Sequence, residues 1–212
     1  AGESYDFSLQ VRCVQGTPKV SVELVAQDGT PLASAVLEGL SSRWKKVAAG
    51  LRPTETDPEA RVYVIVEGKG IVDIDMVSLF PEKTWKARPG GLRADLVQML
   101  ADLKPGFLRF PGGCIVEGSD LSKRYQWKNT IGPIEERKLV INRWNYEFKH
   151  RPAPDYFQSF GLGFFEFFQL AEDIGAQPLP IVNCGMACQF NSAELAPMDQ
   201  LAPYVQDALD LI

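Results

Sequence analysis

The sequence predicts two parts of different class, a β-sandwich over residues 1–82 and an α/β portion over residues 83–212, and three observations predict it. Apolar and polar residues alternate in short runs from Tyr5 to Phe80, the period of strands with one buried face. After Pro81 apolar residues return at helical spacing, at Leu92, Leu96, Met99 and Leu100 and again from Phe160 to Leu170. Short unbroken apolar runs separate these stretches, as buried parallel strands require.

In the first part, Tyr5 to Val11 alternates cleanly, and Val20 to Val25 does so again before a turn at Asp28-Gly29 that favours an antiparallel hairpin. Ala35 to Leu37, Trp44 to Ala48, Arg61 to Val66 and Val72 to Leu79 are further strands, with Gly68 and Gly70 supplying a turn. Five or six such strands suit a sandwich. In the second part, Gly106 to Phe110 and Pro178 to Asn183 read as strands, the segments around Leu96 and Phe164 as helices, and a last helix starts near Met198 or Asp199 and runs to Ile212. The order helix, strand, helix, strand, helix fits part of an α/β barrel or a doubly wound sheet. Tyr5 enters a strand almost at once and Leu209 to Ile212 continues a helical pattern without a Gly or Asn cap, so the expectation is a piece of a longer protein.

Composition narrows the partners. The 212 residues are 45% hydrophobic and 23% charged, as in folded globular chains. A formal charge of -5 argues against a nucleic-acid surface, which needs clustered Lys and Arg, and points to a neutral ligand. No apolar run approaches the ~18 to 20 residues of a membrane span. The four cysteines, Cys13, Cys114, Cys184 and Cys188, show no zinc-ligand repeat, and His150 is the single histidine, so no metal ligands are expected. Cys184 and Cys188 are spaced C-x-x-x-C, not as the redox motif C-x-x-C, and the four are expected to be unpaired, mostly buried thiols.

The segment Phe107-Leu108-Arg109-Phe110-Pro111-Gly112-Gly113-Cys114 carries the most chemistry. It reads as a buried strand that delivers a guanidinium and then a tight turn at its C-terminal end, where parallel α/β folds bind ligands. Arg109, with five fixed donors, either serves a ligand or forms a buried ion pair that supports the fold. Gly112 and Gly113 let main chain approach a ligand closely. The stretch from Ile115 to Pro154 has no strong helical period and contains Tyr125, Trp127, Trp144 and Tyr146, whose flat rings suit stacking on a sugar and equally suit stapling a loop to its domain. Glu117, Glu135, Glu136, Glu166 and Glu172 do not stand at convincing strand ends. Glu166, on the aromatic helix, is expected to cap, to pair or to face solvent, and Glu117, just after the Pro-Gly-Gly turn, comes nearest to a catalytic position.

These residues resemble the α-L-arabinofuranosidases of glycoside hydrolase family 51, in their longer form with a carbohydrate-binding-module-like sandwich. The resemblance is carried by Asp75 to Pro81, Gly91 to Leu96, Phe107 to Gly118, Trp127 to Pro133 and Gly161 to Phe167, occurring in the family's order. Arg-Phe-Pro-Gly-Gly-Cys followed by Val-Glu-Gly is its most specific part. The resemblance implies a retaining hydrolase that removes terminal α-L-arabinofuranosyl groups from arabinose-containing plant polysaccharides, without metal or organic cofactor, exported to the periplasm or outside the cell. It implies that residues 83–212 are the first, incomplete part of an (α/β)8 barrel. The two catalytic glutamates lie beyond later barrel strands, the acid/base in a Gly-Asn-Glu-like motif that does not occur here, so no catalytic residue is assigned. By motif position Arg109 resembles the arginine that supports the catalytic acids, Cys114 a residue lining the arabinose site, and Trp127 a flank of that pocket. A homo-oligomer of the intact parent is left open. The reading from another class is a noncatalytic carbohydrate-binding protein that grips glycan through Trp44, for which a core position in a strand is the expected alternative.

Overall fold

Alternation in the first two strands decides where the first core forms. The computed structural model describes residues 2–146 and 155–212, with only the backbone of Tyr146; His150 and Pro154 lie outside the described residues. Strand β1 (Tyr5–Gly16) turns Phe7, Leu9 and Val11 inward, and β2 (Lys19–Val25) does the same with Val20, Val22 and Leu24. Leu32 and Leu37 of β3 (Pro31–Leu37) and Val47 and Leu51 of β4 (Lys45–Leu51) complete one core. With β5 (Arg61–Glu67) and β6 (Gly70–Pro81) they form two three-stranded antiparallel sheets, ordered β4-β1-β6 and β3-β2-β5. Register follows the buried positions: Leu9 faces Val47 and Val22 faces Ala35. The six strands lie where alternation predicts them, and β2 and β3 form the expected hairpin, with the Thr30 amide donating to Asp28 Oδ1 at 2.9 Å. The turn at Gly68–Gly70 leads from β5 in one sheet to β6 in the other. Gly70 is needed there, since a Cβ would lie 2.5 Å from the Gln15 carbonyl oxygen.

Trp44 is not a core aromatic. It precedes β4, is 47% exposed, and has the Arg12 guanidinium 5.0 Å from its ring centroid. Val47 and Leu51 take the inward positions of β4, so the even-numbered Trp44 falls on the outward side.

The chain divides into two compact units, Ala1–Met99 and Leu100–Ile212, a division that falls inside helix α1 (Ala94–Asp102). In the second unit β7 (Phe107–Phe110) pairs in parallel with β10 (Gln177–Pro180), Arg109 opposite Leu179 and Phe110 opposite Pro180. Between them run α2 (Cys114–Glu117), the two-stranded ladder β8 (Val140–Ile141) with β9 (Phe157–Gln158), four single 3-10 turns, and α3 (Phe164–Ile174). The absence of a long helix from 115 to 146 agrees with the missing period.

Helix α3 turns Phe164, Phe167, Phe168 and Ala171 to one side, at i, i+3, i+4 and i+7, and leaves Phe165 exposed. That side meets Phe110, which contacts Phe164 edge-on at 5.3 Å, Phe167 stacked at 5.0 Å and Phe168 edge-on at 5.1 Å between centroids. Two expectations are corrected. β7 is not a fully buried strand: Phe107 is 60% exposed and Leu179 on β10 43%, because these strands pair only with each other among the described residues. The last helix, α4 (Ala202–Leu209), starts later and closes earlier than its apolar pattern implies. Met198–Gln200 is a separate 3-10 turn, and the chain leaves the helix at Asp210.

Candidate functional site

Where β7 ends, a guanidinium, a glycine turn and a thiol follow within six residues. Arg109 is exposed and has no ion pair among the described residues, so it does not play the part of a buried supporting pair. Its Nη2 lies where it would meet an added Cβ on Gly113 at 3.6 Å, which puts the guanidinium against the Pro-Gly-Gly turn. Gly112 has φ +153 and a Cβ there would come within 3.0 Å of Ile115, whereas Gly113 has φ -108 and precedes α2. Of the two glycines only Gly112 is under this demand.

Cys114 opens α2 and is half-buried. Three residues on, Glu117 lies on the same side of that helical turn. The loop after β10 returns to this spot through Asn183, which is buried: its amide donates to the carbonyls of Val116 at 3.0 Å and Met186 at 2.9 Å, and its oxygen accepts from the Gly185 amide at 2.7 Å. The Cys188 amide then donates to the Gly118 carbonyl at 3.1 Å. These bonds set the fully buried Cys188 beside α2, and the sulfurs of Cys114 and Cys188 and a carboxylate oxygen of Glu117 all lie within 4.8 Å of one another. Glu117 Oε2 is buried without a hydrogen-bond partner. Burial pushes the Cys188 thiol up in pKa; its hydrogen bond to Glu117 and that carboxylate's charge act in the same sense, against the Phe190 amide and the Arg143 guanidinium. Glu117 therefore faces two thiols. Spacing alone did not disclose this set: Cys188 meets Cys114, not its sequence neighbour Cys184, which is exposed. The four cysteines are free, as expected, but only Cys188 is buried.

Trp127 belongs to the packing of the second unit. Its ring stacks on Phe164 at 5.9 Å and 21°, and its indole N–H donates to the Asp207 carbonyl at 2.9 Å. Trp144 is half-buried under the Arg143 guanidinium, 4.0 Å from its ring centroid, and Tyr125 is buried edge-on against Phe160. Burial pushes the Tyr125 phenol up to about 12. Tyr146 carries no described side chain.

Of the roles expected for it, Glu166 takes capping and pairing. Oε2 accepts from the Gly163 amide at 2.8 Å at the start of α3, and the two oxygens accept from Arg137 at 2.8 and 3.0 Å. Arg137, buried, also donates to the carbonyls of Gly132 and Phe160. Burial raises the Glu166 pKa, but the Arg137 and Gly163 hydrogen bonds outweigh it and hold the carboxyl below its ordinary value. Glu135, Glu136 and Glu172 are exposed.

Residues 99–212, more than half of the chain, match the model of the alpha-L-arabinofuranosidase 1 domain. The chain belongs to this family. Over nearly its whole length this arabinofuranosidase-family chain is 37% identical to the extracellular exo-alpha-L-arabinofuranosidase of Streptomyces chartreusis and 41% identical to alpha-L-arabinofuranosidase 1 of Arabidopsis thaliana. It spans 25% and 29% of those two relatives. Among solved structures it resembles an arabinose-bound α-L-arabinofuranosidase of glycoside hydrolase family 51, MgGH51, with a TM-score of 0.84 at 32% identity. That likeness covers 99% of this chain and 33% of the other. The family-51 resemblance read from the motifs is thereby shown, and the chain corresponds to about a quarter to a third of its relatives.

Proposed function

We propose that this chain is the part of a retaining α-L-arabinofuranosidase that supplies one rim of the sugar pocket, in a parent that removes terminal α-L-arabinofuranosyl groups from arabinose-containing plant polysaccharides. The observation that carries the reading is the end of β7, where an exposed Arg109 lies against the Pro-Gly-Gly turn and Cys114 follows. Arg109 offers charge-assisted hydrogen bonds to carboxylates, and Cys114 lines the ring site. Trp127 flanks it, held in place by Phe164 and Asp207. In this reading residues 1–82 are a β-sandwich, supported by two sheets on one core, and residues 83–212 are the start of an (α/β)8 barrel, supported by the parallel β7 and β10 with α3 between them. The parent is exported to the periplasm or beyond the cell, as the name of the Streptomyces relative says of that protein.

Retention of configuration needs two carboxyl groups about 5 to 5.5 Å apart, one to protonate the leaving oxygen and one to attack. The sequence holds no Gly-Asn-Glu segment, and Glu166 is engaged with Arg137 and Gly163. The chain by itself is therefore expected to release no nitrophenol from a nitrophenyl α-L-arabinofuranoside, while the full-length parent does. Turnover by the pure 212-residue chain would sink this reading.

The exposure of Trp44 favours a second reading, in which the first unit binds glycan without cleaving it. Titration calorimetry with arabinoxylan separates the two: binding lost in a folded Trp44→Ala variant supports glycan capture by the first unit. Binding that survives Trp44→Ala and falls in Arg109→Ala returns the ligand to the end of β7.

A further inference from the structure

Cys114, placed above at the ring site, also meets Glu117 and the fully buried Cys188, which have no part in the proposed pocket. Cys114, Glu117 and Cys188 come from two segments held to each other by the buried Asn183 side-chain amide, which donates to the Val116 carbonyl, and by the Cys188 backbone amide, which donates to the Gly118 carbonyl, so the three side chains are not together by chance exposure. Their ligand atoms lie within 4.8 Å of one another. A tetrahedral zinc with Zn–S near ~2.3 Å sets its sulfurs about 3.8 Å apart, so a contraction of ~1 Å or less, within reach of side-chain torsions, closes the site. Glu117 Oε2 is buried with no partner, a state that costs free energy unless a donor or a cation meets it.

We infer that Cys114, Glu117 and Cys188 are the three protein ligands of a binding site for a thiophilic divalent cation, Zn2+. Two sulfur ligands select zinc over Mg2+ and Ca2+, which require oxygen. Three protein ligands leave the fourth tetrahedral position to water, which reaches the cluster on the side of the half-buried Cys114. Charge agrees: two thiolates and a carboxylate around a divalent ion leave one negative charge, and the buried Arg143 guanidinium, whose Nε donates to Asn191 Oδ1 at 3.0 Å, is close enough to act on Cys188. Binding displaces the two thiol protons to solvent and changes no oxidation state. The sequence concealed the site because Cys188 is distant along the chain from Cys114 and Glu117 and the three do not form a repeat.

The test uses the 212-residue chain, stripped of metal, and does not depend on glycosidase activity. Titration with Zn2+ against a competing chelator is expected to show one ion per chain, and Co2+ in its place to give a thiolate-to-metal charge-transfer band in the near ultraviolet. Cys114→Ser and Cys188→Ala are expected to weaken binding at least ~100-fold and Glu117→Gln about tenfold, while Cys184→Ala, exposed and outside the cluster, leaves it unchanged. Cys114 is half-buried, so its serine variant is expected to keep the fold, verified by circular dichroism, and Zn2+ is expected to protect Cys114 from alkylation in the unmodified chain. No charge-transfer band, binding that persists in folded Cys114→Ser, or binding lost in Cys184→Ala would overturn the assignment.

Discussion

Glu166 shows how one carboxylate is turned from a catalytic candidate into a structural residue. It closes the first turn of α3 through the Gly163 amide and neutralises a buried Arg137 with two hydrogen bonds. Removing its charge leaves Arg137 buried without a counter-ion, so Glu166→Gln is expected to lower unfolding free energy by about 2–3 kcal/mol near neutral pH. The folded carboxyl titrates below its ordinary 4.5, so its contribution is present above that value and is lost as the pH falls through the lower folded value. Urea unfolding of the wild type and Glu166→Gln between pH 7 and pH 3 checks both points: the difference is expected to shrink as acid is added. A constant difference across the range would show that the charge is not the cause. At the same scale Cys114, Arg109 and Glu117 were legible because they crowd around one Pro-Gly-Gly turn, whereas Cys188 was not, since no local pattern tells which distant thiol will return to that turn.

Among the elements, α3 depends most on one small residue. Gly163 has φ -110, open to any amino acid, yet a Cβ at this position would lie 1.9 Å from the Thr130 carbonyl oxygen. The same segment supplies the Thr130 hydroxyl that accepts from the Phe164 amide at 3.0 Å, so the helix start and the 3-10 turn at Trp127–Thr130 cannot separate cheaply. Gly163→Ala is expected to cost about 1–3 kcal/mol by forcing that contact apart. Thermal unfolding measures it, and an unchanged midpoint would show that the turn moves freely. Periodicity placed α3 well, because four aromatic or small residues fall on one side of it. It overstated α4, where Pro203 at the first turn and the departure at Asp210 shorten what the apolar spacing marks out.

Across the whole molecule, the six strands of the first unit and the helix–strand order of the second were readable from the sequence because alternation at period 2 and spacing near 3.6 are local consequences of burying one side of an element. Membership of the arabinofuranosidase family was readable for a related reason: Arg109 through Gly118 form one continuous motif, and the family match over residues 99–212 contains it. Burial did not follow from the same patterns. An apolar run looks alike whether its strand is covered or, like β7, has a neighbour on one side alone, and Trp44 looks like a core aromatic until the parity of β4 puts it outward. Local spacing specifies the longer strands and helices, their order and the motif at the end of β7. Which side chains meet, Cys188 with Glu117 and Cys114, Glu166 with Arg137, Trp127 with Phe164, is settled in three dimensions, because contacts between distant segments depend on how loops close, and loop closure leaves no period in the chain.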